Sequence, residues 1–470
     1  MTQSQNPLKI VLAVHHFPPN FKAGAEWRAH RTATWLQRQG HVVKVVCIES
    51  IRDTATSDLR WVDETYDSLP VRRLFLNLSN ASDPARWEYD NPWIEAHLTE
   101  YLAEEKPDIF HLISGYLMTA GAIRAVKCQG IPVTLTLTDF WFLCHRVTLY
   151  RTSGTLCVEN SSLDCVRCLV EQKRRFRLPA QKTPAVTDNL WWLADSLHLV
   201  APQVAKIDER RQTLQAALAE VNVAVCPSNF LKQVYIDKGF QAKQMRFIRQ
   251  GVNIAGNGSL KKSPSTCLRI GYIGQIAVHK GVQVLIEAFL KLISSKPEAE
   301  QALPQIQLKL YGDVAKFPAF YRELAAQHSL VERNGYIGSD QLGDQLQFFG
   351  AFEHHQMTQV YAGIDVLVVP SIWYENSPNV ILEAFAHQTP VIASDLGGMA
   401  ELVDDQKTGL LFVPNDAVDL ARKLETLLND PGLLTRLQGN IVSPETLETE
   451  MAELLLVYQS VMTQQVNSRK

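Results

Sequence analysis

Short apolar runs, each followed by a loop and then a helix-like stretch, recur along most of this chain, and this alternation constrains its fold more than any other feature. Ile10–Val14 is one such run, of the kind a parallel strand buried on both faces requires. After the loop His16–Gly24, Ala25–Gln39 reads as a helix that Gly40 stops, and Val42–Ile48 completes a βαβ unit. Pro107 then precedes a strand at Asp108–Ile113. A helix follows at Leu117–Lys127, with further strands at Ile131–Thr138 and Asn222–Cys226. The series spells a doubly wound α/β domain.

A second series begins after Asn257–Thr266 (NGSLKKSPST), whose polar, Gly-, Pro- and Ser-rich composition reads as a linker. Strands are expected at Leu268–Ile273, Ile306–Tyr311, Leu346–Phe349, Val366–Val369, Pro390–Ala393 and Leu410–Val413. Helices are expected at Val282–Leu292 and Asn379–His387, and a last amphipathic one at about Glu445–Met462. Between Cys144 and Glu220 the pattern loosens, which suggests an insertion in the first domain. The expected architecture is α/β throughout, with two Rossmann-like domains facing each other across a cleft and ligands at the carboxyl ends of the strands.

Composition narrows the function. The 470 residues carry 46 basic and 49 acidic side chains, for a net charge of −3, which offers no electrostatic reason for a nucleic-acid partner. With 46% apolar and 20% charged residues the chain is globular rather than disordered. Eight cysteines are too few for a secreted disulfide scaffold. The start, MTQSQNPLKIVLAVHHFPP, holds too short an apolar run for a signal peptide or a membrane span, so a cytoplasmic protein is expected.

The most informative stretch is Asp365–Gly398. An apolar strand ends in the loop Ser371–Asn376, and a helix is expected to open with Ser377 as N-cap and Pro378 in its first position. The amides of Asn379, Val380 and Ile381 then point out of the helix end, where a phosphate binds well. Glu375 precedes that end, and Glu383 lies five residues beyond Pro378, roughly 7–8 Å along the axis. A diphosphate on the amides would have a hydroxyl-binding carboxylate on each side, the layout a nucleotide-sugar needs.

Glu375 and Glu383 form an E-x7-E pattern, and the run resembles the donor site of retaining glycosyltransferases of family four, which have the GT-B fold. The resemblance implies that Glu375 contacts the transferred sugar and Glu383 the ribose, with Asn376 and Ser377 among the donor-binding residues. The segment Tyr272–Phe289 (YIGQIAVHKGVQVLIEAF) is similar to the family's Gly-Arg…Lys-Gly segment. Gly274 and Lys280 match, while Gln275 stands where arginine is usual and offers a weaker, neutral hydrogen bond. The loop around Pro18, Pro19 and Gly24 resembles the family's amino-terminal signature, implying that Gly24 and His16 line the acceptor side. No G-x-G-x-x-G follows the first strand, which disfavours dehydrogenases.

His111 and Asp139 end predicted strands and are expected near the ligand. The stretch TLTDFW resembles the family's Thr-Leu-His-Asp segment, with Thr138 in place of its histidine, so His111 and His16 are the substitutes. Cys144, Cys157, Cys165 and Cys168 follow C-x12-C-x7-C-x2-C, a spacing open between a structural zinc site and unliganded or redox-active thiols. Similar cysteine-rich insertions accompany the resembling subgroup. The run Glu171–Arg177 and the pair Trp191–Trp192 are open between contact with an anionic membrane or lipid-linked acceptor and a solvated basic face over core tryptophans.

The resemblance implies a retaining glycosyltransferase, with an acceptor domain at 1–228 (insertion about 144–220), a donor domain at 229–440, and a 441–470 helix that crosses back. It would move a hexose-type residue from a nucleotide-diphosphate sugar to a glycan or lipid-linked acceptor. Lys280 and the helix amides would carry the leaving charge, so the scheme calls for no catalytic cofactor, and there is no Asp-x-Asp motif. A nucleotide-sugar epimerase and a non-catalytic nucleotide-sugar-binding subunit are the competing readings.

Overall fold

In a computed structural model the apolar runs pair, mostly as parallel strands, and the described residues form two eight-stranded sheets. It describes residues 6–468 except 22, 53–57, 80, 159–160, 253–261, 295–305, 329, 334–335, 340–342 and 431. The chain divides into two compact units, Met1–Arg249 with Glu450–Lys470, and Gln250–Thr449.

The first unit opens with β1 (Lys9–Val14), α1 (Gly24–Arg38) and β2 (Val42–Ile51), the βαβ unit expected. A hairpin absent from the sequence reading follows, β3 (Asp58–Tyr66) and β4 (Leu69–Asn77), turning at Asp67 and Ser68, both at positive φ. Then come α2 (Pro84–Trp87), α3 (Pro92–Glu105), β5 (Ile109–Ile113), α4 (Thr119–Cys128) and β6 (Val133–Thr136). Among its described residues the loosely patterned region holds the helices α5 (Ser162–Val170), α6 (Arg174–Lys182), α7 (Pro184–Ser196) and α8 (Ala201–Ala219). After them β7 (Val223–Cys226), α9 (Asn229–Asp237) and β8 (Met245–Phe247) complete the sheet, in the order β3-β4-β2-β1-β5-β6-β7-β8. All pairs except β3–β4 are parallel, so the carboxyl ends of β2, β1, β5 and β6 share one edge. β1 and β5 are almost wholly buried, which is why they read as continuous apolar runs.

The second unit contains β9 (Leu268–Ile273), α10 (Val282–Ser294), β10 (Ile306–Tyr311) and α11 (Pro318–His328). Two strands missing from the sequence reading follow, β11 (Leu330–Arg333) and β12 (Tyr336–Ser339), paired antiparallel to each other. The chain continues through β13 (Gly343–Gly350), α12 (Met357–Ala362), β14 (Val366–Val369), α13 (Asn379–Ala386), β15 (Val391–Ser394), α14 (Gly397–Leu402) and β16 (Gly409–Phe412). Helices α15 (Ala417–Asn429), α16 (Leu433–Gly439) and α17 (Leu447–Ser468) end it. The order β11-β12-β13-β10-β9-β14-β15-β16 sets the parallel strands β9, β14 and β15 side by side, and the loops leaving their carboxyl ends emerge together.

Of the expected linker, 257–261 lies outside the described residues. Its end is anchored, because Lys262 Nζ donates to Tyr361 O (2.9 Å), Ile364 O (2.7 Å) and Thr389 Oγ1 (2.7 Å). The unit boundary falls after Arg249 and again before Glu450, inside α17. The body of α17 therefore packs with the first unit, where Arg28 Nη2 meets Glu450 Oε1 at 2.6 Å, both buried.

Candidate functional site

Three loops build the site in the second unit. Leaving β9, Gly274–Lys280 is held by Gly274 N–H donating to Tyr311 O (3.0 Å) and by Tyr272 OH donating to the Gln275 carbonyl (2.6 Å). Gly281 is at positive φ, and a Cβ there would stand 1.8 Å from Pro370 O, so only glycine lets this loop reach the one leaving β14. Gly398 does the same on the other side. Its N–H donates to Glu375 O at 2.8 Å, and a Cβ would fall 2.0 Å from Asn376 O.

This close approach brings Lys280 Nζ to 2.6 Å from Glu375 Oε1. The same oxygen accepts from Ser371 Oγ and from Trp373 Nε1, each at 2.8 Å. Lys280 Nζ lies 5.0 Å over the Trp373 ring, a cation–π contact. Burial works to raise the Glu375 carboxyl pKa, but the Lys280 charge and these three hydrogen bonds outweigh it and hold it below the usual range. The His279 ring lies 4.4 Å from that of Trp373; burial, then the Lys280 charge, push its pKa down to about 4.

Helix α13 opens at Asn379, the start of the expected span, but its cap lies one residue later than expected, and two expectations change with it. Its N-cap is Pro378, at φ −69° and ψ 112°, not Ser377, and no side chain caps it. Ile381 N–H is not free, because it donates to Pro378 O at 3.0 Å. Asn379 and Val380 keep N–H groups with no acceptor among the described residues. Ser377 Oγ, next to them, is buried without a partner among the described residues. An orphaned hydroxyl beside two free amides at a helix N-terminus is a set of donors suited to an anion. Glu383 sits half-buried on α13, where its carbonyl accepts from His387.

In the first unit the expected residues separate. His111 is a correction: it is 1% exposed, its Nδ1 bonds Tyr458 OH (2.7 Å) and its Nε2 bonds Thr136 Oγ1 (2.8 Å). Burial, then Arg28's charge, push it down to about 3, so it is a neutral core residue tying α17 to β5 and β6. Asp139 is half-buried and accepts from Ser114 Oγ (2.6 Å) in the loop after β5 and from Thr138 Oγ1 (3.0 Å) and Trp141 N–H (2.8 Å) in its own loop. His16 bonds Ile48 O through Nδ1 at 2.8 Å and stacks on Phe21 at 3.9 Å. Gly24 begins α1, and a Cβ there would meet nothing within 4 Å.

His15 and Glu26 carry no motif signal of their own in the sequence, yet they meet in the fold. His15 Nε2 is 3.5 Å from Glu26 Oε1, and both His15 Nδ1 and Glu26 Oε2 are buried without a partner among the described residues. Tyr116 stands edge-on to His15 at 5.5 Å and also lines a cavity of about 600 Å³ at the carboxyl ends of β2 and β4. Trp87, Tyr89 and Trp141 line it too, with Arg210 from α8. Arg210 is 3% exposed, donates to Trp141 O at 2.6 Å, and leaves Nη1 unpartnered. Its significance depends on where α8 docks, which no local spacing signals.

Cys144, Cys157, Cys165 and Cys168 line one small cavity of about 20 Å³, and none is in a disulfide. Cys165 Sγ accepts from Arg211 Nη2 at 3.3 Å, and Cys168 Sγ lies 3.6 Å from Thr152 Oγ1. Among the described residues no group of three or more His, Cys, Asp or Glu side chains is arranged to hold a metal ion. The four cysteines line this one pocket together.

Comparison with known proteins agrees with this division. Residues 23–251 match the glycosyl transferase 4-like domain, and residues 267–430 match the glycosyl transferases group 1 domain. The D-inositol 3-phosphate glycosyltransferase of Stackebrandtia nassauensis is 30% identical over 178 residues, 37% of this chain and 37% of that protein, so the match spans well under half of the relative. The glycogen synthase of Mycobacterium tuberculosis is 24% identical over 445 residues, 91% of this chain and 88% of that protein. The structure of Anabaena HepE in complex with UDP superposes with a TM-score of 0.64 at 16% identity, over 96% of this chain and 100% of that one, and shows the shared fold. Two parallel-sheet Rossmann-like units of the GT-B type and the two matched domains place the chain in the group 1 glycosyltransferases.

Proposed function

We propose that the protein transfers a hexose-type residue from a nucleotide-diphosphate sugar to the hydroxyl of a glycan or lipid-linked acceptor, with retention, in the assembly of a cell-surface polysaccharide or glycoconjugate. The observation that carries this reading is the Lys280–Glu375 pair set beside the free amides of Asn379 and Val380 and the orphaned Ser377 hydroxyl. As the glycosidic bond breaks, charge develops on the leaving diphosphate. Lys280, the two amides and Ser377 Oγ are donors already fixed in place for that charge, which is the largest electrostatic contribution such a site makes. Glu375 uses Oε1 for its three protein donors and turns Oε2, which has no partner among the described residues, to the sugar hydroxyls. Glu383 accepts from the ribose. HepE, a fold relative solved with UDP, supports a nucleotide ligand. The aromatic cavity beside His15 supports a saccharide on the first unit, since sugar rings lay their C–H faces on indole and phenol rings.

The test is a thermal-shift screen with UDP-, GDP- and ADP-sugars on the wild type and Glu383→Ala. Binding to the native state raises Tm by mass action. One nucleotide class that stabilises the wild type but not the variant is the expected result. No shift with any of them at millimolar concentration contradicts the donor site. A shift without turnover on any acceptor or water moves the protein to the non-catalytic reading.

A further inference from the structure

Helices α6 and α7 of the first unit pack against each other and turn most of their side chains away from the rest of it. No residue of α6 is buried, and Thr187 is the buried residue of α7. On α7, Thr187, Trp191 and Ala194 form the inner side at helical spacing, buried or half-buried. The outer side is apolar as well. Val186, Leu190, Leu193 and Leu197 recur at i, i+4, i+7 and i+11 and are all exposed. Trp192 beside them is 69% exposed and Leu199 is 67% exposed, while Phe176 and Leu178 extend the surface onto α6. A helix apolar on two sides is ordinarily covered on both, and an exposed patch of this kind marks an interaction surface.

Charge identifies what covers it. The stretch from 172 to 200 carries Lys173, Arg174, Arg175, Arg177 and Lys182 against Asp188 and Asp195, a basic excess in a chain whose net charge is −3. Asp188 is already paired, at 2.5 Å, with Arg167 of α5. Exposed leucine and tryptophan bordered by arginine and lysine are the composition of a helix lying in the headgroup layer, its apolar side chains at the acyl boundary and its cations on lipid phosphates. We propose that the α6–α7 hairpin docks the protein on an anionic lipid bilayer, with Leu190, Trp192 and Leu193 entering the interfacial layer and Arg174, Arg175 and Lys182 on lipid phosphates. Among the described residues no helix is long and apolar enough to cross a membrane, and this contact is a surface one. It holds whatever the second unit binds.

The experiment is co-sedimentation of the full chain with phosphatidylcholine vesicles, with and without phosphatidylglycerol, at low and high salt. Binding to the anionic vesicles on the order of tenfold above the neutral ones, weakened by salt, is expected. The triple substitution Leu190→Glu, Trp192→Glu, Leu193→Glu alters exposed residues and should abolish it, and Arg174→Glu with Arg175→Glu should weaken it on the order of tenfold. Far-UV circular dichroism and the melting curve verify that both variants fold, independently of any nucleotide response. Equal binding to both vesicle types, no binding to either, or full binding by the triple variant would overturn the proposal. So would a concentration-dependent dimer that the triple variant loses, which would assign the patch to a second copy of the chain.

Discussion

Lys280 and Glu375 lie 95 positions apart in the chain, yet a 2.6 Å contact joins Nζ to Oε1. Neither reaches the other from its own element. Gly281 lets the β9 loop approach Pro370, Gly398 holds the β14 loop through Glu375 O, and the two side chains meet where these loops converge. Because the pair is half-buried and Glu375 is held ionised, the site keeps one positive and one negative group fixed before any ligand arrives. Charges placed in advance cost no reorganisation when charge develops on a leaving group beside them.

Glu375→Gln separates the two roles. The amide keeps the shape of the loop and still accepts from Trp373, but it loses the charge that aligns Lys280 and that, in the proposed function, orients the sugar. Transfer should fall by about 10²-fold or more while nucleotide affinity changes little, because Lys280 and the α13 amides remain. Steady-state kinetics beside nucleotide titration measure the split, and equal loss of both would refute the assignment.

Much of this site was legible from residues in sequence. The apolar runs before Gly274 and Pro370 are strand ends, and Pro378 marks the helix start within one residue. What local pattern does not carry is which atoms remain free. Ser377 is a good cap by type, but the helix begins after Pro378, so its hydroxyl is left over rather than used. Ser371 and Trp373 as partners of Glu375 follow from the folded loop, not from spacing. His111 ends an apolar strand much as a site residue would, and only the return of α17, with Tyr458, shows it to be sealed in the core. The β3–β4 hairpin turns at Asp67–Ser68, a pair without glycine that gives little local signal of its two positive φ angles.

His111 gives a pH prediction. Its pKa is about 3 in the fold against 6.5 unfolded. Its contribution is therefore fully present above the unfolded value. Below it the unfolded chain takes up a proton that the native chain refuses, and stability falls by about 1.4 kcal/mol per pH unit until the folded pKa is reached. Urea denaturation of wild type and His111→Gln across that range should show the variant less stable near neutrality but with a shallower acid loss. An unchanged slope would mean that His111 does not stay neutral in the fold.

Tyr458→Phe tests the same junction from α17. It strips the hydroxyl from His111 Nδ1 in a site closed to water and should cost about 1–3 kcal/mol in chemical denaturation. A change of only a few tenths would mean that water reaches the histidine.

Gly398→Ala tests how the β14 loop is held. A Cβ 2.0 Å from Asn376 O forces backbone to move, which should cost about 1–3 kcal/mol and take nucleotide binding with it. Gly439→Ala is the control, since a Cβ there meets nothing within 4 Å and should be tolerated. The two melting curves measure the difference.

The most direct measurement is a calorimetric titration of UDP, GDP and ADP into the wild type and Lys280→Met. The account predicts that one nucleoside diphosphate binds at a single site per chain and that Lys280→Met weakens it on the order of 10- to 100-fold, the loss of a charge-assisted contact to phosphate. A diphosphate bound equally well by both proteins would contradict it, as would no binding to the wild type at millimolar concentration.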